Sequence, residues 1–384
     1  QSNHIDHCTR LCHAPSVEAM LTSLGSGATS NSYIDYEEAG CLVIVGSDTN
    51  SNHPVAAARM RKAVVEKGAK LIIINPRRIE MCDFADLWLR PNPGTDVALL
   101  NTMAKVILDE NLSNETFIKE RTEGYEEWKN IIDQYTLSEG AKITGIPEAD
   151  IAQAAKYYAS PPFSGSCLIW GMGVTQHTNG TANAHSLLNL AFVSGQLGKP
   201  GNGISPLRGQ NNVQGAADMG CQPHQGAGYF PVADKKIQDF YTEKYGVVHP
   251  TKAGLKIPQI FDAAISREIK AVWIIGEDVV QTDPNSAHVA KAMNALDLLV
   301  VQEIFMSETA KHADVVLPGT TFLEKDGTFT NTERRVQRVN KAAEPLPGTK
   351  PDGLIVTEMM QKLGFNQKPY DADEVLAEIA DIVP

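Results

Sequence analysis

Cys41-Leu-Val-Ile-Val-Gly46-Ser-Asp48 and Ala271-Val-Trp-Ile-Ile-Gly276-Glu-Asp278 are two versions of one pattern, 230 positions apart. Each is an apolar run ending in Gly-x-Asp, and six residues after each Asp comes a proline, Pro54 or Pro284. Each leads through a helical pattern to a second apolar run, Leu71-Ile-Ile-Ile-Asn75 or Leu298-Leu-Val-Val-Gln302. An Ala-Asp pair and a third short run close each copy, at Ala85-Asp86-Leu-Trp-Leu and Ala313-Asp314-Val-Val-Leu. Apolar, non-alternating runs interleaved with helices predict parallel sheet covered on both faces. Ligands of such sheets bind beyond the carboxyl ends of strands, where Gly46, Asp48, Gly276 and Asp278 fall. The glycine lets backbone approach a ligand closely, and the aspartate accepts hydrogen bonds from a purine or ribose edge. Two such ends imply a ligand with two nucleotide-like ends, or two ligands. Neither copy contains Gly-x-Gly-x-x-Gly, which disfavours a simple NAD-dependent dehydrogenase.

A chain of 384 residues is long enough for two or three domains. A stretch rich in Gly, Gln, Asn and Pro over 204–255 places the boundary near 205–220, giving α/β units at 1–210 and 211–384. In the first, strands are expected at 41–46, 70–75, 87–90 and 166–170. Its helices are expected from about Ser16 and at 54–67, 96–110, 114–120, 123–135, 148–159 and 180–196. In the second, strands are expected at 271–276, 298–302 and 314–317, and helices at 257–267, 284–295, 352–363 and 373–381. The segment 318–350 reads as loop or hairpin. A net charge of -12 argues against a nucleic-acid surface, so an anionic ligand needs local Arg, Lys or backbone N–H groups. No apolar stretch approaches the ~20 residues that span a bilayer. Six cysteines are too sparse for a disulfide scaffold, and together with the lack of a signal pattern they point to a cytoplasmic protein. The chain begins Gln1-Ser-Asn-His and ends just after a helix-like run, as expected of an excised piece of a longer protein.

Several shorter motifs lie at or between the strand ends. Arg77, in Asn75-Pro-Arg77, can hold a phosphate by its planar fork or remain a solvated loop charge. Pro93-Gly94-Thr-Asp96 opens a helix, either as a cap or beside a ligand. Cys8-Thr-Arg-Leu-Cys12-His13 is one residue too long for covalent haem attachment, and no convincing set of Cys or His completes a zinc site. That leaves a structural cysteine, or one thiolate on a soft metal with His13 beside it for proton transfer. Arg208-Gly-Gln-Asn-Asn-Val-Gln-Gly215 is too polar to bury well and rich in donors, and Arg208 suits a carboxylate bidentately.

With this loop the chain resembles the molybdopterin oxidoreductases that bind two guanine-dinucleotide pterins, above all formate dehydrogenase catalytic subunits. The resemblance runs through Cys12-His13-Ala-Pro-Ser16, Asn75-Pro-Arg77, Arg121-Thr-Glu-Gly-Tyr125, Trp170-Gly-Met-Gly-Val-Thr-Gln176, Gly198-Lys-Pro200, Arg208 to Gly215 and Gly276-Glu-Asp278, in the family's order. It implies two Rossmann-like units, the central domains of a formate dehydrogenase/DMSO reductase-type fold. It implies Cys12 as the protein ligand to molybdenum or tungsten, His13 as the adjacent active-site histidine and Arg208 as the formate-orienting arginine. Pterin-dinucleotide contacts are implied at Asn75, Arg77, Gly94, Asp96, Met172 and Gln176, at Gln210 between the units, and at Asp278, Thr282 and Gln302. The implied reaction is oxidation of formate to CO2, with two electrons passed to an acceptor subunit or domain. Nitrate or another oxo-anion as substrate, or a nucleotide-binding module without redox chemistry, are the alternatives. The family's N-terminal 4Fe-4S segment, with the lysine linking cluster to pterin, and its C-terminal β-rich domain are not matched. The piece by itself is therefore expected to be inactive, with cofactor retention left open. A thiolate at Cys12, near Arg208 and a cationic metal, is expected to have a depressed pKa.

Overall fold

The computed structural model describes residues 2–383. The chain forms two compact units. One comprises Cys12–Asn211 with Thr332–Arg334; the other comprises the residues through Leu11, Asn212–Asn331 and the chain from Arg335 onward.

In the unit containing Cys12, five strands form a sheet: β1 (Cys41–Val45), β2 (Lys70–Ile74), β3 (Leu87–Leu89), β4 (Ser166–Trp170) and β5 (Gly203–Pro206). Their order is β3-β2-β1-β4-β5 and every pairing is parallel. Both faces are buried, which is why these runs do not alternate with polar residues. Val43, Val45, Ile72, Ile74, Leu168 and Trp170 share one core with helices Ala14–Leu24, Asp96–Asp109, Glu148–Ala159 and Gly180–Ser194. Leu42, Ile44, Leu71, Ile73, Cys167 and Ile169 pack on the other side with helix Pro54–Lys67. Each such aliphatic side chain contributes about 1.5–3 kcal/mol by leaving water.

Strand order reverses between β1 and β4, the place where this sheet type opens a ligand crevice. Glycines line the reversal. Gly171 N–H donates to Val45 O (3.1 Å) and Gly173 N–H to Gly46 O (3.0 Å). Gly46 has φ +56°, and a Cβ there would lie 2.7 Å from the Gly173 carbonyl carbon. The two strand ends can approach this closely only without side chains.

In the second unit, β6 (Ala271–Ile275), β7 (Leu298–Glu303) and β8 (Val315–Pro318) form a parallel sheet in that order, and β9 (Gly327–Thr330) and β10 (Val336–Val339) form a hairpin. Ile274, Leu299 and Val301 pack with Phe261, Val289 and Met293 from helices Ile257–Ile265 and Ser286–Ala295. The opposite side is not covered as expected: Ile275, Leu298 and Val315 remain 46%, 42% and 42% exposed.

Some expected elements differ. β5 was not foreseen, because Gly203-Ile-Ser-Pro206 has one aliphatic residue and reads as the end of a glycine-rich break; only pairing beside β4 makes it a strand. Helices Leu137–Thr144, Val213–Asp218 and Lys235–Tyr245 are likewise additional to those expected. Pro54 begins its helix, whereas Pro284 does not: Asn285, at φ +59°, caps Ser286–Ala295 by accepting from His288 N–H. Gly46→Ala is expected to destabilise the protein by about 3 kcal/mol or more, combining strain of about 1–3 kcal/mol with overpacking of about 1–3 kcal/mol. Gly68→Ala, in open space at φ +74°, should cost only about 1–2 kcal/mol. Urea denaturation of the two variants tests the difference; equal losses would remove the close-approach explanation.

Candidate active site

The chain leaving β5 runs one residue further along β4, with Leu207 N–H donating to Trp170 O (2.9 Å). Arg208 N–H then donates to Thr332 Oγ1 (3.1 Å), and the Arg208 guanidinium donates through Nη2 to Gly27 O (2.6 Å). Arg208 is only 7% exposed. Cys12, 3% exposed, lies against this peptide: its thiol receives the Gly209 N–H and feels the Arg208 charge. The Thr175 hydroxyl donates to the Cys12 carbonyl. Cys12, His13 and Arg208 are thereby brought together within one unit.

Burial nonetheless raises the Cys12 pKa, outweighing the Gly209 N–H and Arg208, which both favour thiolate. This corrects the expected depression for the protein by itself. A thiol out of water stays protonated until a cation replaces the proton.

His13 is fully buried and its pKa falls to about 3, through burial first and then the Arg208 charge, so the ring is neutral. Its Nε2 lies 2.7 Å from Leu207 O. A carbonyl only accepts, so Nε2 carries the proton and Nδ1 accepts from Ser16 Oγ at 3.2 Å. Ser16 Oγ in turn receives Trp170 Nε1–H at 2.8 Å. Both ring nitrogens are thus engaged with protein.

The loop after β1 is poorly satisfied. Asp48 Oδ2 pairs with Arg77 Nη2 at 2.7 Å, but Asp48 Oδ1, both amide atoms of Asn50 and His53 Nδ1 are buried without a hydrogen-bond partner. Buried polar atoms without partners are costly in a finished structure, and here they offer donors and acceptors to a polar ligand. Asn75 Oδ1 accepts from Arg77 N–H. Gly94, at φ +84°, has open space around it, while Asp96 is buried and its carboxyl pKa is raised by that burial. Met172 is 40% exposed, Gln176 N–H donates to its carbonyl, and Gln210 is exposed.

In the second unit, Gly276 N–H donates to Gln302 O (2.9 Å). Asp278 is spent locally: Oδ1 accepts from Thr309 N–H (2.8 Å) and hydroxyl (2.6 Å), and Oδ2 from Glu308 N–H (3.3 Å). The Thr282 hydroxyl donates to Asp278 O and Asp283 Oδ2. Gln302 is buried, with Nε2 donating to Asp352 and Oε1 left without a partner. Sequence reasoning missed Ser16, His53, Thr175, Leu207, Gly209 and Thr332 as parts of the site. Ser16, Thr175 and Gly209 carried a signal, their places in the Cys12–Ser16, Trp170–Gln176 and Arg208–Gly215 motifs; His53, Leu207 and Thr332 act through partners far away in the sequence.

Among the described residues no group of three or more His, Cys, Asp and Glu could cage a metal. One buried thiol beside an arginine and an amide N–H therefore fits a soft metal that brings most of its ligands with it. The partnerless atoms after β1 and at Gln302 fit polar ends of such a ligand.

Glu277 follows Gly276, and burial, then Asp283 and Asp6, lift its carboxyl from 4.5 to about 7. Between those values the folded state holds a proton that the unfolded chain has lost, so stability falls as pH rises through this window. Glu277→Gln should leave the thermal midpoint unchanged near pH 4 and raise it above pH 7; equal effects at both pH values would contradict the assignment.

The Molybdopterin oxidoreductase family model matches residues 1–362. The chain is 44% identical over 388 residues to the F420-dependent formate dehydrogenase subunit alpha of Methanocaldococcus jannaschii, covering 100% of this chain and 56% of that protein. It is 38% identical over 384 residues to formate dehydrogenase H of Escherichia coli, covering 100% of this chain and 53% of that protein. The chain thus spans about half the length of these curated relatives. Acetylene hydratase from Pelobacter acetylenicus shares the fold, with a TM-score of 0.74 at 24% identity over 93% of this chain and 51% of that one. By the family match over residues 1–362 and by relatives 38–44% identical along its whole length, the chain belongs to the molybdopterin oxidoreductases.

Proposed function

We propose that the full-length enzyme carrying this chain oxidises formate to CO2, releasing one proton and passing two electrons to an acceptor subunit or domain. The convergence of Cys12, the Gly209 N–H and Arg208 carries the reading, and relatives named formate dehydrogenases support it. The family's molybdopterin, here in the bis-guanine-dinucleotide form with molybdenum or tungsten, supplies when bound the site that accepts two electrons. Cys12 thiolate is its protein ligand. Arg208 binds the formate carboxylate by paired, charge-assisted hydrogen bonds and turns its C–H toward the reacting centre. His13, neutral and tied at both nitrogens, positions the Leu207–Gly209 peptide and does not carry the proton.

Residues 1–210 hold one dinucleotide, through Gly46, Asp48, Asn75, Arg77, Gly94, Asp96, Met172, Gln176 and Gln210. Residues 211–384 hold the other, through Gly276, Asp278, Thr282 and Gln302. In the second unit the Asp278 carboxylate shapes the loop and the open Gln302 oxygen makes the contact. A 4Fe-4S centre elsewhere in the full-length protein would pass the electrons onward to the acceptor. No helix of the described residues is long and apolar enough to cross a membrane, in keeping with the cytoplasmic placement proposed.

Cys12→Ala in the full-length enzyme should lower formate oxidation at least about 100-fold, beyond the usual loss for a residue that only supports a metal ligand. Arg208→Lys, which loses the bidentate fork, should cost about 1.5–3 kcal/mol, or about 10–150-fold in kcat/KM for formate. Steady-state assays on formate and nitrate, with metal analysis of the same preparation, decide the matter. Substantial formate turnover by Cys12→Ala, preference for nitrate, or a protein without molybdenum or tungsten would each overturn the reading.

A further inference from the structure

Two histidines stand at helix N-cap positions and neither caps its helix. His13 precedes Ala14–Leu24 and His53 precedes Pro54–Lys67; each helix has proline in its first turn, and neither imidazole makes a cap hydrogen bond. N-caps favour Ser, Thr, Asp or Asn, whose short oxygens reach the first free N–H groups. A histidine there gives up that stabilisation, and a broken local rule of this kind commonly marks a functional position. Both rings are committed elsewhere, to carbonyls of consecutive residues. His13 Nε2 lies 2.7 Å from Leu207 O and His53 Nε2 lies 2.6 Å from Arg208 O. Each carbonyl must accept, so both histidines are Nε2–H donors.

We propose that His53 is a positioning residue for the active site, which with His13 clamps the Leu207–Gly209 backbone. The carbonyl held by His53 belongs to the peptide whose N–H is that of Gly209, the group that meets the Cys12 thiol. A peptide unit is planar, so fixing its C=O fixes the direction of its N–H. The same bond limits rotation about the Arg208 backbone and so sets where its side chain starts. The Thr332 hydroxyl and Gly27 carbonyl hold other atoms of Arg208, but neither holds this peptide plane. Arg208 and Gly209 are thus aimed by two rings rooted in helices on opposite faces of the sheet, since Ala14–Leu24 contributes to one core and Pro54–Lys67 to the other.

Three variants of the full-length enzyme separate this role from a merely structural one. His53→Gln keeps an N–H near the position of Nε2. His53→Asn is polar but one methylene too short, and His53→Leu has no donor. Cofactor-free protein is treated with iodoacetamide and carbamidomethylation of Cys12, with loss of iodide, is followed by peptide mass spectrometry. His53→Asn and His53→Leu should label Cys12 at least about five times faster than the unaltered protein, and His53→Gln within about twofold of it. This arm does not depend on the substrate.

In the holoenzyme, formate kcat/KM should fall about 10-fold or more in His53→Asn and His53→Leu, mainly through KM, and recover to within about threefold in His53→Gln. This second arm rests on the formate reading; if the unaltered enzyme does not use formate, that reading fails while the labelling result still judges His53. Labelling of His53→Asn within twofold of the unaltered protein, or of His53→Gln as fast as His53→Leu, would overturn the proposal.

Discussion

The peptide from Leu207 to Gly209 is held from both sides while carrying a buried arginine and an amide N–H to a buried thiol. Most of the first unit can be understood as the support for that arrangement. β5 brings the peptide to the edge of the sheet, and Trp170, the last residue of β4, binds Leu207 through its carbonyl and Ser16 through its indole. Ser16 then donates to Nδ1 of His13, whose Nε2–H returns to the Leu207 carbonyl and so sets the tautomer. The circuit closes without a charged member: strand, indole, hydroxyl, imidazole and carbonyl. Neutral groups suit it, because a charge inside the unit would face a large desolvation cost.

Cys12 shows what that burial does to reactivity. Arginine and an amide N–H favour the thiolate, but loss of water outweighs them. The protein alone therefore stores a thiol, and a soft cation is what makes the thiolate the better state. His13 is shifted in the complementary sense, toward neutrality, by the same burial and by the same arginine. One positive charge in a dry place thus favours one anion and opposes a second cation.

The two copies of the repeat have diverged in the use of their aspartates. Asp48 pairs with Arg77 and leaves Oδ1 without a partner. Asp278 gives its oxygens to Thr309 and Glu308, and the open acceptor lies on Gln302. Helix entry differs too, through Pro54 in one copy and Asn285 in the other. A shared strand–loop–helix pattern does not ensure that the same side chain is left open at the strand end.

Strands β1, β2 and β4 were legible because each has at least four consecutive apolar residues, the pattern of a sheet buried on both faces. The repeat located the strand ends, and the resemblance picked out Cys12, His13 and Arg208. β5 was not legible, since its hydrogen bonds come from β4 and its own side chains carry little pattern. Nor could the sequence reveal that His53 grips the Arg208 carbonyl 155 positions away, or that the Asp278 carboxylate is taken up by Glu308 and Thr309. Sequence by itself determined the sheets, their glycine ends and the residue types available for chemistry, because local pattern and composition encode burial. Tertiary structure decided tautomer, protonation and which polar atoms remain open, because these depend on partners and lost water that no local stretch contains.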